Sequence, residues 1–333
     1  MTSAAGRPSS VICVGILFCV ATLFAKGADA AADQRSPRQK RPSPRANQAK
    51  RHDRQGIKLE KDVVYAEAGN YELLLDIAYH EKIDPPRPAI VHIHGGGWRG
   101  GSKNSRTALM YAQMGYVGVS INYRLSGDAP FPAGVHDCKA AIRWVRANAA
   151  KYGVDPKHIG IIGSSAGGHL CALLGTSGGD AYLEGDLGNL EYSSRVQCVI
   201  DEWGPTDFLR MDDVPGAIHH LGPSSPESLW IGAPITKRKD LVRKANPISY
   251  VDSKDPPILM IHGEKDRTVI IGQSELLSAA LRKAGVVAKF VRVKNAGHGL
   301  RPTPAGAQIS PNRAQLAKLR ADWFREHLAK NAD

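Results

Sequence analysis

Short apolar runs alternate with longer amphipathic stretches along most of the chain. Most of these runs are apolar throughout, which is typical of strands in a parallel sheet that is covered on both faces. A more mixed extended pair, residues 63–65 and 72–79, precedes them. The other predicted strands are residues 89–94, 117–122, 159–162, 196–203, 258–261 and 287–293. The predicted helices are residues 133–152, 166–174, 273–284 and 314–328.

This alternation predicts an α/β fold, with a doubly wound, mostly parallel sheet of about eight strands and helices on both faces. We expect a single domain that covers residues 57–333. Residues 206–250 interrupt the rhythm and are rich in Pro and Gly. They are expected to form a small helical, cap-like insertion. Ligands of such sheets bind at the carboxyl ends of the strands, so this insertion is expected to influence which ligand is accepted.

The N-terminus has the pattern of an export signal. Arg7 precedes an apolar run at residues 11–24, and small residues follow at Ala28 and Ala30. The pattern predicts a cleaved signal peptide over residues 1–30 and a secreted or periplasmic protein with no stable membrane anchor. A retained anchor is the alternative, although about 14 apolar residues are too few to span a bilayer comfortably.

Residues 31–56 are basic and contain no apolar residue larger than Ala or Pro. Eight Arg and Lys residues face two Asp residues there, which accounts for half of the formal net charge of +12 of the 333-residue chain. Such a segment buries too little surface to offset its ordering entropy, so we predict a disordered leader, either a solvated tether or an attachment to an anionic surface. The rest is only mildly basic, and nucleic acid is not an expected partner.

The cysteines exclude a disulfide-stapled scaffold. Cys13 and Cys19 lie in the predicted signal, and the remaining three, Cys138, Cys171 and Cys198, form at most one disulfide. Their apolar surroundings indicate small buried side chains. The chain has no CxxC pair and no HExxH motif, so neither a metal site nor a cofactor is predicted.

A G-x-S-x-G motif centred on Ser165 follows the strand at residues 159–162 and opens a predicted helix. This is the context of a nucleophile elbow, in which a tight turn lifts the serine hydroxyl clear of the backbone. The turn requires small neighbours, here Gly163 and Gly167. Ser177 lies in a second matching motif, but that motif follows a helix and is predicted to be a loop with a helix C-cap.

Three consecutive glycines follow another strand, in the sequence His94-Gly95-Gly96-Gly97-Trp98. Glycines let the backbone approach a ligand closely and direct N–H groups at a developing negative oxygen. We predict an oxyanion hole built from the N–H groups of Gly96, Gly97 and Ala166, with a plain flexible loop as the alternative.

An acid and a base are expected after the serine, in that order. Asp266 follows the strand at residues 258–261, and His298 follows the last strand, so both should lie at the same edge of the sheet as Ser165. We predict that His298 accepts the serine proton and that Asp266 orients its ring. Glu264 and Asp201 are the rival acids, and a capping histidine between two turn glycines is the alternative for His298.

Two further pairs have weaker assignments. Tyr123 and Arg124 follow the strand at residues 117–122 and are predicted to hold the oxyanion loop rather than take part in chemistry. His219 and His220 fall in the insertion and are candidates to line a substrate cleft.

Together these motifs resemble the α/β-hydrolase superfamily, and more narrowly the esterases of the hormone-sensitive-lipase-like group and the bacterial feruloyl and acetyl-xylan esterase-like group. The resemblance covers most of residues 61–328 and rests on the motifs at residues 94–98, 122–126, 163–170, 225–228, 263–269 and 297–299. The sequence departs from the family pattern at Ile270, where Pro is usual, and at Lys294-Asn295, where a small turn is usual.

The resemblance implies a serine carboxylic-ester hydrolase that forms an acyl-enzyme at Ser165, with Asp266 as acid and His298 as base. The expected substrates are small-molecule or carbohydrate esters, including acetylated and feruloylated sugars. A peptidase or arylformamidase of the same fold is one alternative. A catalytically silent secreted binding protein is another, and the sequence indicates no oligomeric state.

Overall fold

A computed structural model describes residues 56–82, 84 and 86–329. The predicted signal peptide and nearly all of the predicted basic leader lie outside the described residues, so both stay predictions, as do the domain boundaries.

Within the described residues, eight strands form one sheet in the order β1-β2-β4-β3-β5-β6-β7-β8. Strand β2 is antiparallel to both β1 and β4, and all other neighbours are parallel. The strands are β1 (Ile57–Ala68), β2 (Tyr71–His80), β3 (Arg87–Ile93), β4 (Val117–Ile121), β5 (Val154–Ser164), β6 (Cys198–Glu202), β7 (Ile258–Gly263) and β8 (Ala288–Val293). The predicted fold class is therefore confirmed.

Helices cover both faces of the sheet. Apolar side chains of α2, α4 and α8 pack on one face, and those of α1 and α9 pack on the other. The helices are α1 (Ser105–Gln113), α2 (Ala133–Ala147), α3 (Ala149–Tyr152), α4 (Ala166–Thr176), α5 (Ala181–Glu184), α6 (Pro226–Ile231), α7 (Lys239–Ala245), α8 (Gly272–Lys283) and α9 (Arg313–Leu328). Strands β3, β5, β7 and β8 all run parallel to one another, so their carboxyl ends lie at one edge of the sheet. The predicted site residues follow these strand ends.

Two helical predictions differ from the structure. Helix α1 was not predicted, because only Ala108, Tyr111 and Ala112 of its nine residues are buried while Met110 is exposed, so no broad apolar stripe marks it. The predicted helix at residues 133–152 is divided into α2 and α3 at Asn148, which stands between them with φ −99° and ψ 17°.

The predicted insertion at residues 206–250 contains the short helices α6 and α7 and two single 3₁₀ turns, Phe208–Arg210 and Pro247–Ser249. Ser225 caps α6 by accepting a hydrogen bond from the backbone N–H of Ser228, and Pro226 occupies the first helical position. Both features favour a helix start at this point, so α6 enters the site with a fixed N-terminus.

Cys138, Cys171 and Cys198 are all free and buried. Burial raises the pKa of each thiol well above its usual value, so the thiolate form is disfavoured. The prediction of small buried side chains is confirmed. Among the described residues, no helix has both the length and the apolar character that a membrane crossing requires.

Candidate active site

Ser165 lies on the sharp turn between β5 and α4. Its φ of 56° and ψ of −122° are uncommon for a residue with a side chain, and such a conformation costs on the order of 1–3 kcal/mol. The glycines on either side make the turn sterically feasible. A Cβ on Gly163 would overlap the carbonyl oxygen of Gly167, and one on Gly167 would overlap that of Ile93.

The structure brings the three predicted polar residues together in a continuous line. His298 Nε2 lies 3.2 Å from Ser165 Oγ, and His298 Nδ1 lies 2.8 Å from Asp266 Oδ2. A carboxylate only accepts hydrogen bonds, so the Nδ1 proton points at Asp266 and Nε2 is left to accept from the serine hydroxyl. This arrangement can remove a proton from Ser165.

Asp266 is held in its ionised form. Burial by itself would raise the pKa of this carboxyl, but the neighbouring His262 and the hydrogen-bonded His298 outweigh burial and lower the pKa to about 2. The other oxygen, Oδ1, accepts hydrogen bonds from the backbone N–H groups of Thr268 at 2.8 Å and Val269 at 3.0 Å. Asp266 is therefore a fixed anion behind the histidine ring.

The glycine loop after β3 lies against the nucleophile turn. Gly96 and Gly97 both have positive φ, at 121° and 60°, which favours glycine at these positions. A Cβ on Gly95 would overlap the carbonyl oxygen of Ser164, so the two loops approach each other closely. Ala166 begins α4, and the first N–H groups of a helix have no partner inside it. These positions suit the predicted oxyanion donors, whose role stays a prediction.

A cavity of about 520 Å³ opens beside Ser165, and we call it the Ser165 cavity. Its wall is formed by the glycine loop, the nucleophile turn, the first residues after β6, the insertion, the loop after β7, and the loop after β8. Trp203, after β6, lies with its ring 6.3 Å from that of His298. The cavity thus joins Ser165 and His298 to residues of the insertion.

The rival acids occupy other places. Asp201 is fully buried, where burial raises its pKa to about 6, and it accepts a hydrogen bond from the backbone N–H of Gly204. Glu264 is exposed on the surface. Asp266 is the carboxylate that contacts His298.

Tyr123 and Arg124 act separately. The Tyr123 hydroxyl donates to the carbonyl oxygen of His94 at 3.1 Å, and its ring stacks on that of His94 at 4.4 Å, so Tyr123 does hold the glycine loop as predicted. Arg124 instead forms a bidentate ion pair with the buried Asp137 of α2. The predicted role of Arg124 in holding the loop is wrong for its side chain.

Of the two histidines in the insertion, only His220 lines the Ser165 cavity. His219 is exposed and lies 2.8 Å from Asp212. Sequence reasoning missed Glu227, which is buried at the cavity wall and contacts His220. The only signal was its place in the motif at residues 225–228, which supported the family resemblance without suggesting a role.

The described residues contain no group of three or more His, Cys, Asp or Glu side chains that could hold a metal ion.

Comparison with known proteins assigns the family. The BD-FAE family model matches residues 75–281, which is more than half of the chain. The chain belongs to the BD-FAE family. The matched range includes Ser165 and Asp266 of this family member and ends before His298.

Relatives of this BD-FAE family member are named as esterases. Esterase LipQ of Mycobacterium tuberculosis is 35% identical over 243 residues, which cover 71% of this chain and 56% of LipQ. A probable carboxylic ester hydrolase, LipM, of the same organism is 31% identical and is covered to 51%. The chain therefore spans about half the length of these curated relatives.

The chain also resembles the solved structure of a protein that is named as an esterase. A truncated carbohydrate esterase from gut microbiota is 35% identical with a TM-score of 0.69, and the match covers 82% of this chain and 97% of that protein. The predicted resemblance to esterases of this superfamily is confirmed.

Proposed function

We propose that this protein is a serine hydrolase that cleaves carboxylic esters through an acyl-enzyme at Ser165. The observation that carries the proposal is the unbroken series of hydrogen bonds from Ser165 through His298 to Asp266 at the edge of an open cavity. The family membership and the esterase names of the relatives support it.

In the first half of the reaction, the Ser165 hydroxyl attacks the ester carbonyl while His298 Nε2 takes its proton. The resulting oxyanion accepts hydrogen bonds from the N–H groups of Gly96, Gly97 and Ala166, which stabilises the tetrahedral intermediate. His298 then donates the proton to the leaving alcohol, and Asp266 stabilises the charged ring throughout.

In the second half, water replaces the alcohol beside His298. The histidine takes a proton from water, water attacks the acyl group on Ser165, and the free acid leaves as the serine regains its proton. The Ser165 cavity is open to solvent on one side, which allows both the alcohol product and water to exchange.

The test is hydrolysis of p-nitrophenyl acetate by the purified protein and by Ser165→Ala. We expect the variant to lose several orders of magnitude in kcat/KM. Ser177→Ala is the matched control, because Ser177 lies in the second G-x-S-x-G motif but donates to Leu173 at the end of α4. Equal activity of the native protein and Ser165→Ala would reject the proposal.

The same experiment separates the alternatives. A silent binding protein would leave Ser165 unlabelled by a fluorophosphonate probe although the protein is folded. A peptidase or arylformamidase would cleave the matching acyl amides as well as the esters, whereas an esterase would cleave only the esters.

For the substrate, we propose a carbohydrate ester such as an acetylated or feruloylated sugar. The support is the 35% identity to a carbohydrate esterase, whose whole length is nearly covered. A panel of acetylated and feruloylated oligosaccharides beside simple alkyl esters tests this. Preference for the alkyl esters would contradict it.

We also propose that the protein is exported, on the strength of the signal pattern at residues 1–30. N-terminal sequencing of the protein from the native cell tests this, and the expected first residue is Ala31. An intact N-terminus in the cytoplasmic fraction would contradict export.

A further inference from the structure

A second histidine–carboxylate pair lies in the wall of the Ser165 cavity. His220 Nδ1 is 2.9 Å from Glu227 Oε1, and His220 Nε2 is 2.7 Å from the carbonyl oxygen of Thr268. Both side chains are almost completely buried, at 4% and 3% exposure. Burying an ionisable pair away from the reacting atoms costs desolvation energy. The contacts of this pair therefore call for a functional explanation.

The two contacts of His220 indicate which of its ring nitrogens carry a hydrogen. A carbonyl oxygen only accepts, so Nε2 carries a hydrogen and donates it to Thr268. Nδ1 faces the Glu227 carboxylate, which favours a proton on Nδ1 and therefore the cationic form of the ring. Burial by itself would lower the pKa of His220, but Glu227, the Thr268 carbonyl and the charge of Asp212 outweigh burial and raise the pKa.

The carbonyl that His220 contacts belongs to the same peptide unit as the N–H of Val269. That N–H donates to Asp266 Oδ1 at 3.0 Å, and Asp266 Oδ2 in turn accepts from His298. A hydrogen bond to the oxygen of a peptide polarises the unit and strengthens the hydrogen bond that its N–H donates. The peptide between Thr268 and Val269 therefore links the His220–Glu227 pair to Asp266.

A second contact ties the insertion to the same loop. The backbone N–H of Ile218 donates to the carbonyl oxygen of Arg267 at 2.8 Å. Asp212, in turn, accepts the backbone N–H of His220 at 2.9 Å, so the segment that carries His220 is held at both ends. The groups that face His220 are thus Glu227 of α6, Asp212 of the insertion and, across the peptide, Asp266.

We propose that His220 and Glu227 form a positioning pair that holds the 268–269 peptide and thereby sets the orientation and basicity of Asp266 toward His298. The inference rests on the proposed ester hydrolysis. The pair does not touch the reacting atoms, and its effect is on kcat rather than on substrate binding.

The central variant is His220→Phe, which fills similar space and removes the donor and the charge. We expect kcat to fall about 10- to 100-fold with KM changed less than about twofold, because a small displacement of Asp266 misaligns the base. Without the nearby cation, Asp266 is a stronger base, so the acidic limb of the kcat/KM profile moves to higher pH, by about half a unit or more.

Two variants separate charge from geometry. His220→Gln keeps an N–H donor without the charge and is expected to recover part of the lost kcat. Glu227→Gln keeps the shape but removes the carboxylate that favours the charged ring, so the acidic limb is expected to move in the same direction. His219→Gln is the matched control, because the neighbouring His219 is exposed and its ring lies against Asp212 rather than against Glu227 or Thr268.

Two kinds of result would contradict the role of His220 and Glu227 as a positioning pair. A folded His220→Phe or Glu227→Gln with native kcat and a native pH profile would reject the proposal, and so would a loss confined to KM. If His220→Phe does not fold, the Gln variants carry the test. Imidazole NMR of His298 in the resting protein follows the same ionisation without substrate. An inactive native protein would reject the proposed function, while this titration still tests the positioning pair.

Discussion

The two sides of the Ser165 cavity are held in place by different kinds of contact. On one side, the nucleophile turn and the glycine loop meet backbone to backbone, at Gly95, Gly163 and Gly167, where a Cβ would overlap a carbonyl oxygen. On the other side, buried side chains hold the insertion. Gln273 Oε1 accepts the backbone N–H groups of Thr206 and Asp207, both at 2.7 Å.

The difference explains what can be inferred from sequence. A backbone contact of this kind admits only glycine, so it leaves a recognisable motif. A side-chain contact can be built from many residue pairs at many separations, so it leaves none. The first side of the cavity was predicted residue by residue, whereas the insertion was predicted only as a segment, with His219 and His220 as candidates to line the cleft.

The largest effect is expected from Asp266→Asn, in the loop after β7 to which the insertion is bound through Ile218 and His220. The amide can hold His298 in the wrong tautomer, with Nε2 protonated and unable to accept from Ser165. We expect kcat to fall on the order of 10⁴-fold at neutral pH. Steady-state kinetics with p-nitrophenyl acetate measures this, and Glu264→Gln at the exposed rival acid should leave the rate unchanged.

Gly167→Ala tests the side of the Ser165 cavity that is held by backbone contacts. The added methyl would overlap the carbonyl oxygens of Ile93 and His94, neither of which can move without shifting β3. We expect the free energy of unfolding to fall by about 3 kcal/mol, measured by chemical denaturation. Gly127→Ala is the control, because no atom lies within 4 Å of its added Cβ. Similar stability of the two variants would remove the distinction between the two sides of the Ser165 cavity.

Gln273→Ala tests the insertion side in the same assay. It leaves two backbone N–H groups without their acceptor, so we expect a loss of about 2–3 kcal/mol in the free energy of unfolding. Gln113→Ala on the exposed end of α1 should change it by less than about 0.5 kcal/mol. A loss in Gln273→Ala no greater than in this control would show that the insertion is held by other contacts.

The smallest effect concerns pH. The pKa of Asp266 is about 2 in the folded protein, below its ordinary 3.8. Because the folded pKa is lowered, ionised Asp266 stabilises the fold by about 2 kcal/mol above about pH 4, and this contribution disappears as the pH falls toward about 2. The difference in unfolding free energy between the native protein and Asp266→Asn should shrink over that interval. A constant difference would contradict the lowered pKa.

Most of the sheet was predictable because β3, β4, β6 and β7 are almost wholly buried and so stand out as apolar runs. Helix α1 was not, since only three of its nine residues, Ala108, Tyr111 and Ala112, are buried. The order Ser165, Asp266, His298 was also readable, because each residue follows a strand. The contact between His220 and Glu227 was not, since these residues are seven positions apart in an insertion without periodicity, and only the folded chain brings them to Thr268.

The three buried thiols have a practical consequence for preparing the protein. Since Cys138, Cys171 and Cys198 pack as apolar side chains and none is cross-linked, the described fold needs no oxidant and no disulfide isomerase. Expression in the reducing cytoplasm of a bacterial host, without residues 1–30, should therefore yield the folded domain, and added dithiothreitol should leave its melting temperature unchanged.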